Sequence, residues 1–173
     1  RWWPISGSTR RDYATTVSLD QDGRVMIGGY TDANSLQPDD MWVALLDIDG
    51  SMMEKRKIAS SSVSEHLHQI EWQSKDTFLF CGISEPDNTG DIIIGQTYYD
   101  TATIEVMWSK KITNASYKFA NPTFTIDEYG AVYVTATAID VNGKNYGVLY
   151  SKFDEGSDFS STDQSRLFIP TGT

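Results

Sequence analysis

The sequence predicts an all-β fold made of repeated four-stranded antiparallel sheets, and three observations predict it. Landmarks recur with one period. Aligning RVMIGGY from Arg24, TFLFCGI from Thr77 and AVYVTAT from Ala131 brings Gly29, Gly82 and Ala136 into one column, 53 and 54 residues apart. The apolar runs are short, and turn pairs such as Asp22-Gly23, Asp49-Gly50 and Asn142-Gly143 supply the positive φ that tight hairpins need. No segment carries a 3.6-residue apolar period, so helix is scarce.

Each unit reads as four strands in order. The first runs are VSLD from Val17, IEWQ from Ile70 and FTID from Phe124. The second runs are the three aligned above. Aligning Asp40, Asp91 and Asn145 gives the third runs MWVALL, IIIGQT and YGVLYS, which close near Asp49, Asp100 and Asp154. A fourth, short run ends at Ile5, Ile58, Ile112 and Ile169. Serines 60 to 62 and the stretch SDFSSTD read as polar loops.

Strand faces narrow the architecture. Val25 and Ile27 point one way and Met26 and Tyr30 the other; Phe78 and Phe80 oppose Leu79, Cys81 and Ile83. Both faces are apolar, so each sheet is covered on both sides. Stacked four-stranded sheets with a repeat of this length are the signature of a β-propeller. The expected layout is residues 1–11 as connector and outer strand (Trp2 to Ser6) of a preceding blade, 12–59 as blade 1, 60–113 as blade 2 and 114–173 as blade 3. A closed propeller needs four to eight blades. The chain is therefore expected to be part of a larger propeller of six to eight, or to close by association of chains. That it opens on Arg1 and not on methionine fits a removed leader or a segment of something longer.

DYATTVSLDQDGRVMIGGYT followed by DDMWVALLDIDG resembles the seven-bladed β-propeller repeat (SBBP-type) family. Units of that family pair an Asp-Gly turn and an apolar strand ending in Gly-x-Thr with an Asp-aromatic-Val-Ala strand that closes on a second Gly turn. The second copy departs from the pattern, with Thr101 for the closing glycine and Lys75-Asp76 for Asp-Gly; the third has Ala136 for the strand-end glycine. The resemblance implies a surface or secreted setting.

Composition bounds the function. At 39% hydrophobic residues the 173-residue chain can build a core. A net charge of −10 lacks the basic stripe that duplex nucleic acid requires. One cysteine, Cys81, cannot form an internal disulfide, and no apolar run is long enough for a membrane-spanning helix.

Candidate chemistry is sparse. Asp20, Asp22 and Gly23, with Asp47, Asp49 and Gly50, offer only fragments of a calcium loop, and hairpin geometry explains them without metal. Ser18-x-Asp20 stops short of the Asp-box of sialidases. His66 and His68 fall at i and i+2 on one predicted strand face near Glu71, but two imidazoles need a third ligand to hold zinc, and none is close in sequence. Cys81 occupies the slot of Gly28 and Thr135 and reads as a buried thiol. Trp42 and Trp72 read as core, and Trp2 and Trp3 as contacts to a neighbour. No GxSxG, P-loop or Rossmann fingerprint occurs. Asn114-Ala115-Ser116 is an N-glycosylation sequon in a loop.

The expectation is a non-enzymatic structural or protein-interaction propeller segment of an extracellular or cell-surface protein, with Asn114 as the single candidate modification site. It carries no catalytic, cofactor or metal residues, and its partners are neighbouring blades of the same or another chain and other proteins of an assembly. The alternatives are a carbohydrate-binding or glycan-hydrolysing propeller with its site outside these blades, and a cytoplasmic scaffold.

Overall fold

The computed structural model describes residues 11–32, 38–58, 62–74, 76–85, 90–143, 146–153 and 165–169. The expected outer strand at Trp2 to Ser6, with Trp3, lies outside them. Blade 1 comprises β1 (Arg11–Leu19), β2 (Val25–Asp32), β3 (Asp40–Leu46) and β4 (Met52–Lys57). Blade 2 comprises β5 (Ser64–Ser74), β6 (Thr77–Glu85), β7 (Asp91–Tyr99) and β8 (Ile104–Ile112). Blade 3 comprises β9 (Tyr117–Ile126), β10 (Val132–Asp140), β11 (Tyr146–Phe153) and the short β12 (Arg166–Phe168).

Within each sheet the strands pair antiparallel in chain order. The first strands β1, β5 and β9 lie side by side at the seam, and the sheets stack face to face. These are consecutive blades of a β-propeller.

Strand alternation divides each blade into two faces, and each inter-blade space is a dry core. Between blades 1 and 2, Met26, Met41, Val43 and Leu45 meet Leu67, Ile70, Phe78 and Phe80. Between blades 2 and 3, Leu79, Cys81, Ile92 and Ile94 meet Phe124, Val132, Val134 and Phe153. Full burial of one such side chain contributes roughly 1.5–3 kcal/mol. The opposition of Phe78 and Phe80 to Leu79 and Cys81 is therefore a division between two different cores.

The forward faces change character along the chain. Register puts Met26, Leu79 and Tyr133 in one equivalent position, Val43, Ile94 and Tyr150 in a second, and Leu45, Gln96 and Lys152 in a third. Aliphatic side chains thus give way to tyrosine and lysine at blade 3. Tyr133 and Tyr150 lie with ring centroids 6.3 Å apart, and the Tyr133 hydroxyl donates to Asp127 Oδ2 at 2.8 Å.

Every first strand carries a β-bulge at the same place. The register slips between Ala14 and Thr16, between Leu67 and Gln69, and on β9 between Ala120 and Thr123. The glycine opposite explains the crowding. A Cβ on Gly29 would stand 1.8 Å from the Tyr13 carbonyl oxygen, and one on Gly82 would stand 2.3 Å from that of His66. Blade 3 has Ala136 at this column, and there the bulge is reshaped: Asn121 takes φ 51° and is followed by Pro122, which has no N–H.

Candidate functional site

The seam between first strands is where side chains do the most specific work. Thr16 Oγ1 accepts the Ile70 backbone N–H at 3.1 Å, and Ser18 Oγ accepts that of Trp72 at 3.2 Å. Thr15 Oγ1, at the bulge, donates to the Leu67 carbonyl at 2.6 Å. One blade on, Gln69 stands in the position of Thr16. Its Oε1 accepts from the Phe124 N–H at 2.9 Å and from the Thr123 hydroxyl at 2.6 Å, while its Nε2 donates to the Phe124 carbonyl at 3.0 Å. First strands are sheet edges, so half of their backbone groups point away from their own blade. Side chains of the preceding blade satisfy them.

The face that meets a preceding blade is covered in blades 2 and 3 and open in blade 1. Ile70 and Phe124 are 3% and 4% exposed, whereas the equivalent Val17 is 64% exposed and Leu19 is 66% exposed.

At one end of the same seam, four side chains of blades 1 and 2 form a ladder. The Tyr13 and Tyr30 rings stack with centroids 5.0 Å apart, and Tyr30 stacks on His66 at 4.0 Å. His66 Nε2 lies 2.7 Å from Asp39 Oδ2. His68 is the extra residue of the β5 bulge, so the strand alternation expected to set it on one face with His66 is interrupted between them. Burial pushes the His68 imidazole below its ordinary value, the charge of His66 adds to this, and Glu85 opposes it. Among the described residues no group of three or more His, Cys, Asp or Glu is placed to hold a metal ion.

The acidic turns spend their carboxylates on their own backbone. Asp20 Oδ1 accepts the N–H groups of Asp22 and Arg24 at 2.9 and 2.8 Å, with Gly23 at φ 83°. Asp49 Oδ1 accepts from Ser51 at 2.7 Å, and Gly50 follows at φ 79°. Asp100 does the same for Ala102 and Thr103, and Thr101 takes φ 79° where the first repeat has Gly50. Hydrogen bonds hold Asp49 and Asp100 below the ordinary carboxylate value, from the Ser51 side chain foremost in one and from the Thr103 backbone foremost in the other.

No family model matches the chain, and no curated protein does. Among solved structures it is similar to the β-propeller domain of Nup133 from Vanderwaltozyma polyspora, at 10% identity and a TM-score of 0.44, over 90% of this chain and 47% of that one. The chain thus spans about half the length of that domain.

The remaining expected residues fall as follows. Cys81 is fully buried with its thiol pushed up to about 12 by burial, and its Sγ donates to the Pro122 carbonyl at 3.6 Å. Trp42 is buried, and Trp72 is half-buried, edge-on to Phe78 with Arg24 over its ring. Asn114 is exposed, and its Oδ1 accepts the Ser116 N–H at 2.9 Å in a turn. Sequence reasoning passed over Gln69, Tyr30 and Asp39. Gln69 had a signal, since it stands 53 residues after Thr16; the ladder had none, because its members come from four separate strands or loops.

Proposed function

We propose that the chain is a structural and protein-interaction propeller segment of the seven-bladed repeat type, acting in a secreted or cell-surface protein, and that the open face of blade 1 receives a further four-stranded blade. The exposure of Val17 and Leu19 carries this reading, because the equivalent face of each later blade is buried against its neighbour through side-chain-to-backbone bonds. The arriving blade supplies Ser, Thr or Gln to the edge N–H groups of β1, and its forward face is aliphatic like that of blade 1. The exposed Asn114 sequon supports the secreted setting.

Carbene footprinting of the protein as isolated from its cells tests this. Val17 and Leu19 are expected to be protected there and labelled in the purified 173-residue chain. Equal labelling in both sinks the proposal. Glycosidase treatment of the same preparation is expected to lower the mass of the peptide containing Asn114.

One observation favours a second reading, a carbohydrate-binding propeller: Tyr13, 39% exposed, caps the Tyr30–His66 ladder and offers a ring face to a sugar. A glycan array separates the two. Micromolar binding lost in Tyr13→Ala selects the sugar reading, and silence across the array discards it.

A further inference from the structure

The outer strands carry a charge opposite to that of the chain. Five of the 14 basic residues stand on β4 and β8, namely Lys55, Arg56, Lys57, Lys110 and Lys111, against two acids, Glu54 and Glu105. The chain as a whole is at −10. Both strands are outer edges of their sheets, and both bulge at a methionine: the register slips at Met53 in β4 and at Met107 in β8. These methionines are 39% and 58% exposed, and Met52 beside the first is 50% exposed. Two adjacent edges therefore share one pattern, with exposed methionine at one end and cations at the other.

A groove of about 230 Å³ opens between them at the cationic end. Its apolar lining is Ile58, Phe80 and Ile93, and its polar lining includes Ser109, Lys111 and Glu65. Arg56 lies two residues before Ile58 and pairs with Val43, so its side chain is on the face of β4 that looks toward blade 2. Lys57 pairs with Asp40 and Lys55 with Asp12 on the other face of the strand, while Lys111 also donates to Ser84 Oγ at 3.2 Å and Lys110 lies over Phe153.

We propose that this groove is a docking site for an acidic linear peptide, with an aliphatic side chain seated over Ile58 and Ile93 and flanking carboxylates on Arg56 and Lys111. Charge complementarity selects the partner: the two outer strands carry a net positive charge on a chain that is acidic as a whole. Glu65, 3% exposed, is the one carboxylate residue in the described lining of the groove. This site is independent of the open face of blade 1.

Fluorescence anisotropy on the 173-residue chain tests it, using a labelled peptide of two leucines flanked by glutamates. Saturable binding is expected, weakened about tenfold or more by Arg56→Glu with Ser109→Glu, by replacing the leucines with glycine, and by molar salt. Peptide-induced NMR shifts on the unmutated chain, expected at the Ile58 and Ile93 methyls, keep the test valid if the double variant fails to fold. No binding at millimolar peptide, binding unaffected by the charge reversal, or shifts elsewhere would overturn the proposal. The lysines and bulges would then serve only to guard the edges against strand pairing. Val17→Glu is expected to leave peptide affinity unchanged.

Discussion

The Gln69 carboxamide spans the seam to Phe124, taking the backbone N–H at 2.9 Å and giving to the carbonyl at 3.0 Å. One residue thereby satisfies both backbone groups of a neighbouring blade's edge strand. Replacing it by leucine leaves both without that partner, at a cost of about 1–3 kcal/mol per stranded group when buried. Gln69→Leu is expected to lower the urea midpoint more than Thr16→Val, which removes a single acceptor from Ile70. Equal effects would mean that water replaces the carboxamide.

Thr101 is a β-branched residue at φ 79°, a backbone region that disfavours such side chains. Thr101→Gly is expected to stabilise the chain by about 1 kcal/mol in denaturant titrations. Tyr99 keeps its bond to the Thr101 carbonyl in this variant, because the acceptor is backbone. The converse change, Gly50→Thr, is expected to cost a similar amount.

Gly82→Ala places a methyl group 2.3 Å from a backbone oxygen of the bulge. Neither side can give by moving a flexible side chain, so a loss of about 3 kcal/mol or more is expected. Ala136→Gly removes no comparable clash and is expected to change stability by about 1 kcal/mol. Thermal melts of the two variants decide this.

Asp127 is held below the ordinary carboxylate value of 3.8, first by the Tyr133 hydroxyl and then, against an opposing desolvation that ranks second, by the backbone N–H groups of Ala131 and Tyr129 and the charge of Lys152. With the folded value depressed, its contribution is present above the unfolded value and is lost as pH falls through the folded one. Carboxyl-carbon NMR is expected to show Asp127 titrating below 3.8. The same bond raises the Tyr133 phenol above 10, so Asp127→Asn is expected to return it toward 10 in an alkaline absorbance titration.

Cys81, with its thiol at about 12, is expected to resist thiol reagents at neutral pH until the chain is denatured. Rapid native-state modification would mean that the core between blades 2 and 3 opens readily.

Much of the fold was legible because repetition makes weak signals add. A single Asp-Gly pair says little, but Gly29, Gly82 and Ala136 in one column identify the crowded slot opposite the bulge. Strand faces were readable where both sides are apolar, as with Phe80 and Cys81. The bulges were not, since an extra residue leaves no compositional mark: Thr15 and His68 are chemically unlike, and Asn121 is betrayed only by the proline after it. That is why His66 and His68 looked like a pair on one face. The docking groove was hidden for another reason. Arg56 and Lys111 are 55 residues apart, and only the stacking of two sheets brings their strands to one opening.

The drift of the forward faces from methionine and leucine to tyrosine and lysine has a consequence for assembly. If all blades were alike, any blade could sit beside any other, and a growing disc could slip by one place without penalty. Here a misplaced blade would press Lys152 and Tyr150 into a dry pocket shaped for Leu45 and Val43, or leave those aliphatic side chains in water. The forward face of blade 3 is therefore not interchangeable with that of blade 1.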